Sequence, residues 1–245
     1  MCGARQTEPA RAGEVSKSPE REGHAALMDR VYRRQRYIYD ATRKYYLLGR
    51  DRMIRELGAK PGERIVEIGC GTARNLVKIA NLYPGVRLFG LDASHEMLIS
   101  AAESVRRAGL GSRIALAHGL AEEMTPALFD GEERFDRAIF SYSLSMIPDW
   151  RGALAAAARA VKPGGAIHVV DFGDLASLWP PAARALRAWL RLFHVAPREA
   201  LLKGLETNRH AGFSLHILPG RYAFVVKASP AALLEIEAPE VAPSR

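Results

Sequence analysis

The sequence predicts an α/β fold, in which a doubly wound, mostly parallel sheet of seven strands ends in an antiparallel C-terminal hairpin. Short apolar runs alternate along the chain with amphipathic helical patterns, as in sheets of this kind. A glycine-rich turn follows the first apolar run. The 245 residues, 48% apolar and 25% charged, fit one such domain with appendages. A fibrous or largely disordered protein is thereby excluded.

The strands are predicted from short apolar runs and the helices from helical periodicity. The expected strands are Arg64–Ile68, Val86–Leu91, Ile114–Ala117, Phe135–Phe140, Ala166–Asp171, Phe213–Leu218 and Arg221–Lys227. Pro219-Gly220 is a tight turn that suits a hairpin between the last two strands. Helical patterns occupy residues 76–82, Met97–Arg107 and Trp150–Val161, and the last of these ends at Lys162-Pro163-Gly164-Gly165.

The two ends of the chain lack periodicity. Residues 1–24 are predicted to be a disordered arm and residues 229–245 a loose tail. The main domain is expected over residues 25–228, with a helical lid or substrate segment at 25–58 and a basic, amphipathic helical insertion at 175–205. The N-terminus has no apolar stretch of the secretory kind, and Cys2 and Cys70 form no disulfide framework, so we expect a cytoplasmic protein.

The formal net charge is +8, and most of it lies in two stretches. Residues 29–55 contain nine basic and three acidic side chains, and residues 180–203 contain five and one. A positive patch attracts an anionic partner, which means nucleic acid, an acidic membrane surface or an acidic substrate. Composition alone does not choose among these three.

The most informative stretch is the glycine loop after the first strand, Val66-Glu67-Ile68-Gly69-Cys70-Gly71-Thr72-Ala73-Arg74-Asn75. Gly69 and Gly71 allow a sharp turn and a close approach to a ligand. Arg74 occupies the place of the third glycine of the dinucleotide fingerprint. Glu67 lies two residues before the first glycine, where a carboxylate suits a cofactor with an amino group and a positive charge better than a pyrophosphate. The loop therefore favours S-adenosylmethionine over NAD, and a glycine turn that binds nothing is the alternative.

Asp92 ends the second strand, about 20 residues after the loop, where an acid meets ribose hydroxyls. A carboxylate can accept two hydrogen bonds from a vicinal diol. The alternative role is a helix N-cap, but Ser94 could supply that cap. The glycine loop and Asp92 together favour cofactor binding.

Across about residues 60–228 the sequence resembles the class I S-adenosylmethionine-dependent methyltransferases, whose fold is Rossmann-like. The matching features, in family order, are the Glu67–Ala73 loop, Asp92, the Gly119-Leu120-Ala121-Glu122 segment, Phe135-Asp136 and Lys162-Pro163-Gly164-Gly165. The resemblance implies S-adenosyl-L-methionine as cofactor. The residues expected to bind it are Glu67, Gly69, Cys70, Gly71, Thr72, Asp92, Ala93, Met97, Leu120, Ala121 and Ser141. Two departures are Ala73 in place of a usual glycine and Leu120 where an aspartate often contacts the adenine amine.

Two further stretches bear on the substrate. Residues 141–150 read Ser-Tyr-Ser-Leu-Ser-Met-Ile-Pro-Asp-Trp, without the Asp/Asn-Pro-Pro-aromatic motif of base-methylating enzymes, and residues 37–51 include Tyr-Asp-Ala-Thr-Arg-Lys-Tyr-Tyr-Leu-Leu-Gly-Arg-Asp. Together they resemble the diacylglycerylhomoserine N-methyltransferases of betaine-lipid synthesis and, more distantly, bacterial phosphatidylethanolamine N-methyltransferases. The resemblance implies a membrane lipid substrate and a partner enzyme that forms diacylglycerylhomoserine. The alternatives are a small-molecule or quinone methyltransferase and a nucleic-acid-binding module without turnover.

Methyl transfer to an amine moves a positive charge from sulfur to nitrogen along one line. Aromatic faces tolerate both cations, so Tyr39, Tyr45 and Tyr142 are candidate catalytic residues. Asp149 is a candidate proton acceptor, as is His194. The carboxylate of a homoserine headgroup would suit Arg43, Lys44 and Arg50. No metal is expected. The alternatives are an ordinary packed helix for the tyrosines and a solvated basic face for the cations.

Residues 183–193 form a predicted helix with two distinct sides. One side bears Arg184, Arg187 and Arg191, and another bears Leu186, Leu190 and Phe193. Such a helix can lie in an anionic bilayer interface. The alternative is an amphipathic helix that covers the sheet or the pocket. The sequence therefore predicts a protein that is peripheral at the cytoplasmic membrane face, with no nucleic-acid partner.

Overall fold

The computed structural model describes residues 47–236, apart from residues 130, 132, 194 and 209–211. The strands are β1 (Arg64–Ile68), β2 (Arg87–Asp92), β3 (Ile114–His118), β4 (Phe135–Ser141), β5 (Val161–Phe172), β6 (Phe213–Ile217) and β7 (Ala223–Ala228). The helices are α1 (Arg50–Arg55), α2 (Arg74–Leu82), α3 (His95–Arg107), α4 (Trp150–Ala160), α5 (Pro180–Leu192), α6 (Glu199–Thr207) and α7 (Pro230–Leu234). The predictions for residues 1–46 lie outside the described residues.

The seven strands form one sheet in the order β3-β2-β1-β4-β5-β7-β6. The first five strands of this order, β3 to β5, run parallel to one another. β7 is antiparallel to both β5 and β6. The predicted α/β sheet with its antiparallel C-terminal hairpin is therefore confirmed. The strand order reverses between β1 and β4, and in open α/β sheets ligands bind at the carboxyl ends of the strands at such a point.

The core lies on both faces of the sheet because successive strand residues point to opposite sides. Val66 and Ile68 pack with α4 on one face, whereas Ile65 and Ile139 pack with α1 and α2 on the other. All five residues of β1 are buried, as expected of a central parallel strand covered by helices on both faces. This rigid centre supports the loops at the carboxyl edge.

The structure differs from the prediction at the C-terminal tail. Residues 230–234 form α7 instead of a loose segment, because Ser229 caps the helix and Leu233 is buried against the core. The Ser229 Oγ accepts a hydrogen bond from the Ala232 N–H at 3.2 Å. Residues 237–245 lie outside the described residues.

The basic insertion forms α5 and α6, and its apolar stripe faces inward. Leu190 is fully buried, and Leu186, Trp189 and Phe193 pack against the same core cluster. The expectation that this stripe enters a bilayer is therefore wrong, and the alternative of a helix that covers the domain is what the structure has. Among the helices that the structure describes, none combines the length and apolar character needed to cross a bilayer.

Candidate active site

A cavity opens at the carboxyl edge of the sheet, beside the point where the strand order reverses. Its walls come from the segments that follow β1, β2, β3 and β4: Ile68, Gly69 and Gly71; Leu91, Asp92 and Ala93; Gly119, Leu120, Ala121 and Glu122; Tyr142, Ser143, Met146, Ile147 and Pro148. Asp92 and Glu122 are the carboxylates among these residues, and Tyr142 is the one other side chain of this wall that can ionise. The cavity therefore has a polar side near β2 and β3 and a mostly apolar side after β4.

The glycine loop forms the floor of the cavity. Gly69 has a φ of 76°, and the Gly69 and Cys70 N–H groups donate to the Leu91 carbonyl at 2.8 and 3.0 Å. A Cβ atom at position 69 would lie 2.5 Å from the Ser143 Cβ. No side chain at position 69 fits beside Ser143, and Gly69 and Gly71 line the cavity.

Asp92 lies beside this loop and holds it in place. Its Oδ2 accepts the Gly71 N–H at 2.7 Å, and its Oδ1 accepts the Ser94 N–H at 2.9 Å. The Ser94 Oγ accepts the Met97 N–H at 3.3 Å and so caps α3. Ser94 is thus the N-cap of α3, and Asp92 lines the cavity; its contact with a ribose stays a prediction.

Glu67 and Cys70 support the loop from behind and do not line the cavity. Glu67 is buried, and its Oε1 accepts the Asn75 Nδ2–H at 2.7 Å, which ties β1 to the first turn of α2. The Cys70 Sγ packs against Gly90, and burial raises the pKa of this thiol well above its ordinary value. Cys70 is therefore a packing residue with a protonated thiol.

The predicted cofactor residues divide into two groups. Those on the cavity wall are Gly69, Gly71, Asp92, Ala93, Leu120 and Ala121. Those off the wall are Glu67, Cys70, Thr72, Met97 and Ser141. Met97 is buried and packs with Met146 and Phe193, and Ser141 is buried at the end of β4. Contact of these five with a cofactor stays a prediction.

Tyr142 is the predicted catalytic residue that the structure places on the cavity wall. It is 2% exposed, has a φ of 57°, and donates its hydroxyl hydrogen to the Leu48 carbonyl at 2.5 Å. Burial raises the pKa of Tyr142 well above its ordinary value. The hydroxyl therefore stays protonated, and a tyrosinate base at this position is ruled out.

Two of the other predicted catalytic and substrate residues, Asp149 and Arg50, are described and are not among the residues that line the cavity. The Asp149 Oδ1 accepts the Gly152 N–H at 2.8 Å and caps α4, away from the cavity wall. Arg50 is buried in α1, where its Nε donates to the Leu47 carbonyl at 3.3 Å. Tyr39, Arg43, Lys44, Tyr45 and His194 lie outside the described residues. Within the described ranges, no three His, Cys, Asp or Glu side chains come together as a metal site.

The loop after β4, residues 142–148, is held by partners that the sequence analysis did not assign. The Ser143 Oγ donates to the Ile68 carbonyl at 2.8 Å. The Arg198 guanidinium donates hydrogen bonds to two carbonyls of the loop. Its Nε lies 2.9 Å from the Leu144 oxygen and its Nη2 lies 2.5 Å from the Ile147 oxygen. Asp171 accepts the Ser145 N–H at 3.0 Å. This part of the cavity wall is thus held in place by several elements.

Asp171 adds a buried charge to this arrangement. It is the penultimate residue of β5 and is fully buried, and burial raises its pKa to about 6 despite hydrogen bonds from Ser145 and Phe172. Met146, Ile147 and Pro148 also line the cavity, although the sequence analysis did not name them individually. The signal that points to them is their place in residues 141–150, the stretch that resembles lipid N-methyltransferases.

Comparison with known proteins decides the class of this domain. Residues 65–165, which include every segment around the cavity, match the family described as a methyltransferase domain. Residues 65–165 are therefore a methyltransferase domain, similar to those of the class I S-adenosylmethionine-dependent enzymes. The methyl donor of such a domain is S-adenosylmethionine. The Gly69 and Gly71 backbone on the cavity wall and Asp92 at the end of β2 fit that cofactor.

Several curated proteins are similar to the methyltransferase domain. A demethylmenaquinone methyltransferase of Bacillus cytotoxicus is 34% identical over 123 residues, which are 50% of each chain. The O-methyltransferase resE of Aspergillus sclerotiorum is 30% identical over 66% of this chain and 61% of its own. The ubiquinone/menaquinone biosynthesis C-methyltransferase UbiE of Syntrophotalea carbinolica is 29% identical over 81% of both chains. The chain spans 50% and 61% of the length of the first two.

Solved structures share the fold of the methyltransferase domain. A putative methyltransferase of Haloferax volcanii, in complex with the activator Trm112, gives a TM-score of 0.60 at 15% identity over 88% of this chain and 99% of that one. A methyltransferase of Thiobacillus denitrificans, in complex with S-adenosyl-L-homocysteine, gives 0.52 at 18% identity over 73% and 71%. At these identities the likeness concerns the fold.

Proposed function

We propose that this chain is an N-methyltransferase that converts diacylglycerylhomoserine to its trimethylated betaine lipid. The observation that supports this most directly is the hydrogen bond from the Tyr142 hydroxyl to the Leu48 carbonyl. Residues 37–51 and 141–150 are the two stretches that resemble the lipid enzymes. This bond brings Leu48 of the first stretch next to Tyr142 of the second, which lies on the cavity wall, and so supports a site to which both stretches contribute.

The apolar side of the cavity suits the chemistry of an amine acceptor. The bound cofactor would supply an electrophilic methyl group. An amine attacks only when it is neutral, and an environment that excludes water disfavours its charged form. Met146, Ile147 and Pro148 provide such an environment beside Tyr142 on the same wall. The wall therefore favours an amine that has already lost its proton to bulk water. After the first and second transfers the new ammonium releases a proton to bulk water before it can react again.

A second candidate is methylation of a quinone ring carbon, which the names of the similar proteins favour. A flat aromatic acceptor also suits an apolar wall. The two candidates differ in the acceptor atom, since one methylates nitrogen and the other carbon. Phosphatidylethanolamine is a further amine acceptor and belongs in the same comparison.

The test is an assay of the full chain with methyl-labelled S-adenosylmethionine and three acceptors in detergent micelles. These are diacylglycerylhomoserine, phosphatidylethanolamine and demethylmenaquinone. We expect products that carry one, two and three extra methyl groups on the homoserine nitrogen, identified by mass spectrometry. Label on the quinone ring alone would establish the second candidate, and label on none of the three would refute the proposal. An Asp92→Ala variant controls for contaminating activity.

Arg198→Lys is predicted to raise the acceptor KM by about tenfold and to leave cofactor affinity unchanged. A lysine provides one point charge and cannot span the Leu144 and Ile147 carbonyls as the guanidinium fork does. Hydrogen bonds to charged groups contribute about 1.5–3 kcal/mol, so the wall loosens when one is lost. Steady-state kinetics with the accepted substrate and calorimetry with S-adenosylmethionine measure the two quantities.

The matched control is Arg113→Lys. Arg113 also grips backbone carbonyls, those of Ala80 and Tyr83 at 3.0 and 2.9 Å, but it precedes β3 at the opposite edge of the sheet. This variant should lose stability and keep its acceptor KM. If both variants showed the same KM, Arg198 would have no positioning role.

A further inference from the structure

The outer side of α5 is basic and apolar. Arg184 and Arg191 lie two helical turns apart, so they share one side, and both are exposed. Leu192, next to Arg191, is 70% exposed. The 13 residues of α5 include three arginines and no acidic residue. Arg187 is turned inward, because its Nη2 donates to the Asp174 carbonyl and lies 3.5 Å from the Glu199 carboxylate.

Trp179 immediately precedes α5 and is 73% exposed. A tryptophan ring has a large apolar surface and one N–H donor, and such rings are enriched where an apolar phase meets water. Trp189, unlike Trp179, packs edge-on against Phe193, with 4.9 Å between the ring centroids. The ends of α5 thus each present a large apolar side chain, Trp179 and Leu192, with the two exposed arginines between them.

The inner side of α5 and the segment that follows it are linked to the cavity. Phe193, which follows α5, packs against Met97, and Met146 of the cavity wall packs against the same side chain. The Ala196 N–H donates to the Ser145 carbonyl at 2.8 Å. Leu48, which accepts the Tyr142 hydroxyl, is another exposed apolar side chain at this edge, 47% exposed. A surface that bound α5 would therefore lie close to the apolar wall of the cavity.

We propose that Trp179, Arg184, Arg191 and Leu192 form a docking face for an anionic lipid bilayer. Charge complementarity supports this partner, because basic side chains near an anionic leaflet are attracted to it within a Debye length. The exposed tryptophan and leucine would enter the interface while the arginines contact phosphates. The inner stripe of α5 stays packed on the core. The proposal rests on the proposed lipid substrate, whose headgroup would then reach the cavity without leaving the bilayer.

The experiment is co-sedimentation of the full chain with vesicles of phosphatidylcholine alone or mixed with phosphatidylglycerol. We expect binding to the mixed vesicles that falls with added salt. The double variant Arg184→Gln/Arg191→Gln should bind them about tenfold more weakly or worse, because each arginine adds to the attraction. Trp179→Ser/Leu192→Ser should weaken binding to a similar extent through the lost apolar contact.

The controls are Arg159→Gln on α4 and Ile99→Ser on α3, an exposed arginine and a 53% exposed isoleucine outside the docking face. They should bind the vesicles as the parent chain does. Equal loss in these controls, no binding to mixed vesicles, or preferential binding to RNA would overturn the proposal.

Activity in detergent micelles separates this proposal from the proposed function. Docking variants should keep their activity on micellar diacylglycerylhomoserine and lose it on the same lipid in vesicles. If the chain methylates the micellar lipid but does not bind vesicles, the docking face is wrong and the function stands. If it binds vesicles and methylates no lipid amine, the reverse holds.

Discussion

Gly69→Ala is expected to weaken S-adenosylmethionine binding by more than tenfold and to lower the free energy of unfolding by roughly 2–5 kcal/mol. The φ of 76° costs an alanine about 1–2 kcal/mol. The new Cβ would also lie 2.5 Å from the Ser143 Cβ, and overpacking of this kind costs about 1–3 kcal/mol. Relief of the contact moves the loop backbone that faces the cofactor. Isothermal calorimetry and denaturant unfolding measure the two effects.

Gly109→Ala separates backbone strain from the close contact. Gly109 has a similar φ of 66°, and a Cβ there would have no neighbour within 4 Å. This variant should lose only the strain energy and should bind the cofactor with unchanged affinity. If Gly69→Ala bound S-adenosylmethionine as well as Gly109→Ala does, the floor of the cavity would not be the cofactor site.

Asp92→Ala is expected to weaken S-adenosylmethionine binding by more than tenfold, which is about 1.4 kcal/mol or more. The substitution removes the carboxylate from the cavity wall, where it would accept the ribose hydroxyls. It also removes the acceptor of the Gly71 N–H at 2.7 Å, so the glycine loop loses a brace. The fold should persist because Ser94, not Asp92, caps α3. Calorimetry measures the affinity and circular dichroism the fold.

Asp136→Ala is the matched control for this prediction. Asp136 also accepts a backbone N–H, that of Arg64 at 2.8 Å, but it lies at the start of β4 on the opposite edge of the sheet. Burial raises the pKa of the Asp136 carboxyl, but its hydrogen bonds from the Arg64 N–H and the Lys162 ammonium outweigh this effect. The pKa therefore lies below its usual value. We expect lower stability and an unchanged affinity for S-adenosylmethionine. Similar affinity losses in both variants would argue against the ribose assignment.

The sequence was sufficient to predict the parts of the fold and the site that depend on local pattern. The strands, the glycine loop and Asp92 are each encoded by consecutive residues or by a fixed spacing along the chain. Confirmed strand ends differ from the predicted ones mostly by one or two residues, although β5 begins at Val161 instead of Ala166. Local backbone preferences locate the end of a strand less precisely than the hydrogen bonds between strands do.

The parts that could not be predicted depend on contacts between distant residues. Arg198 lies 54 and 51 residues from the two carbonyls that it grips, and Tyr142 lies 94 residues from Leu48. Periodicity divides α5 into two sides but does not say which side the rest of the domain covers. Glu67 and Cys70 were predicted to bind the cofactor because of their place in a motif. In the structure their side chains contact Asn75 and Gly90 and do not line the cavity.

The contact between Gly69 and Ser143 has a consequence for how enzymes with this arrangement can diversify. Position 143 rests on the backbone that receives the cofactor, so a bulkier residue there would disturb methyl-donor binding before it altered acceptor choice. Positions 146–148 face the same cavity and are free of that constraint. New acceptor preferences should therefore arise by substitutions at positions 146–148, while position 143 keeps a small side chain. Within this one loop, some positions are then constrained and others can vary.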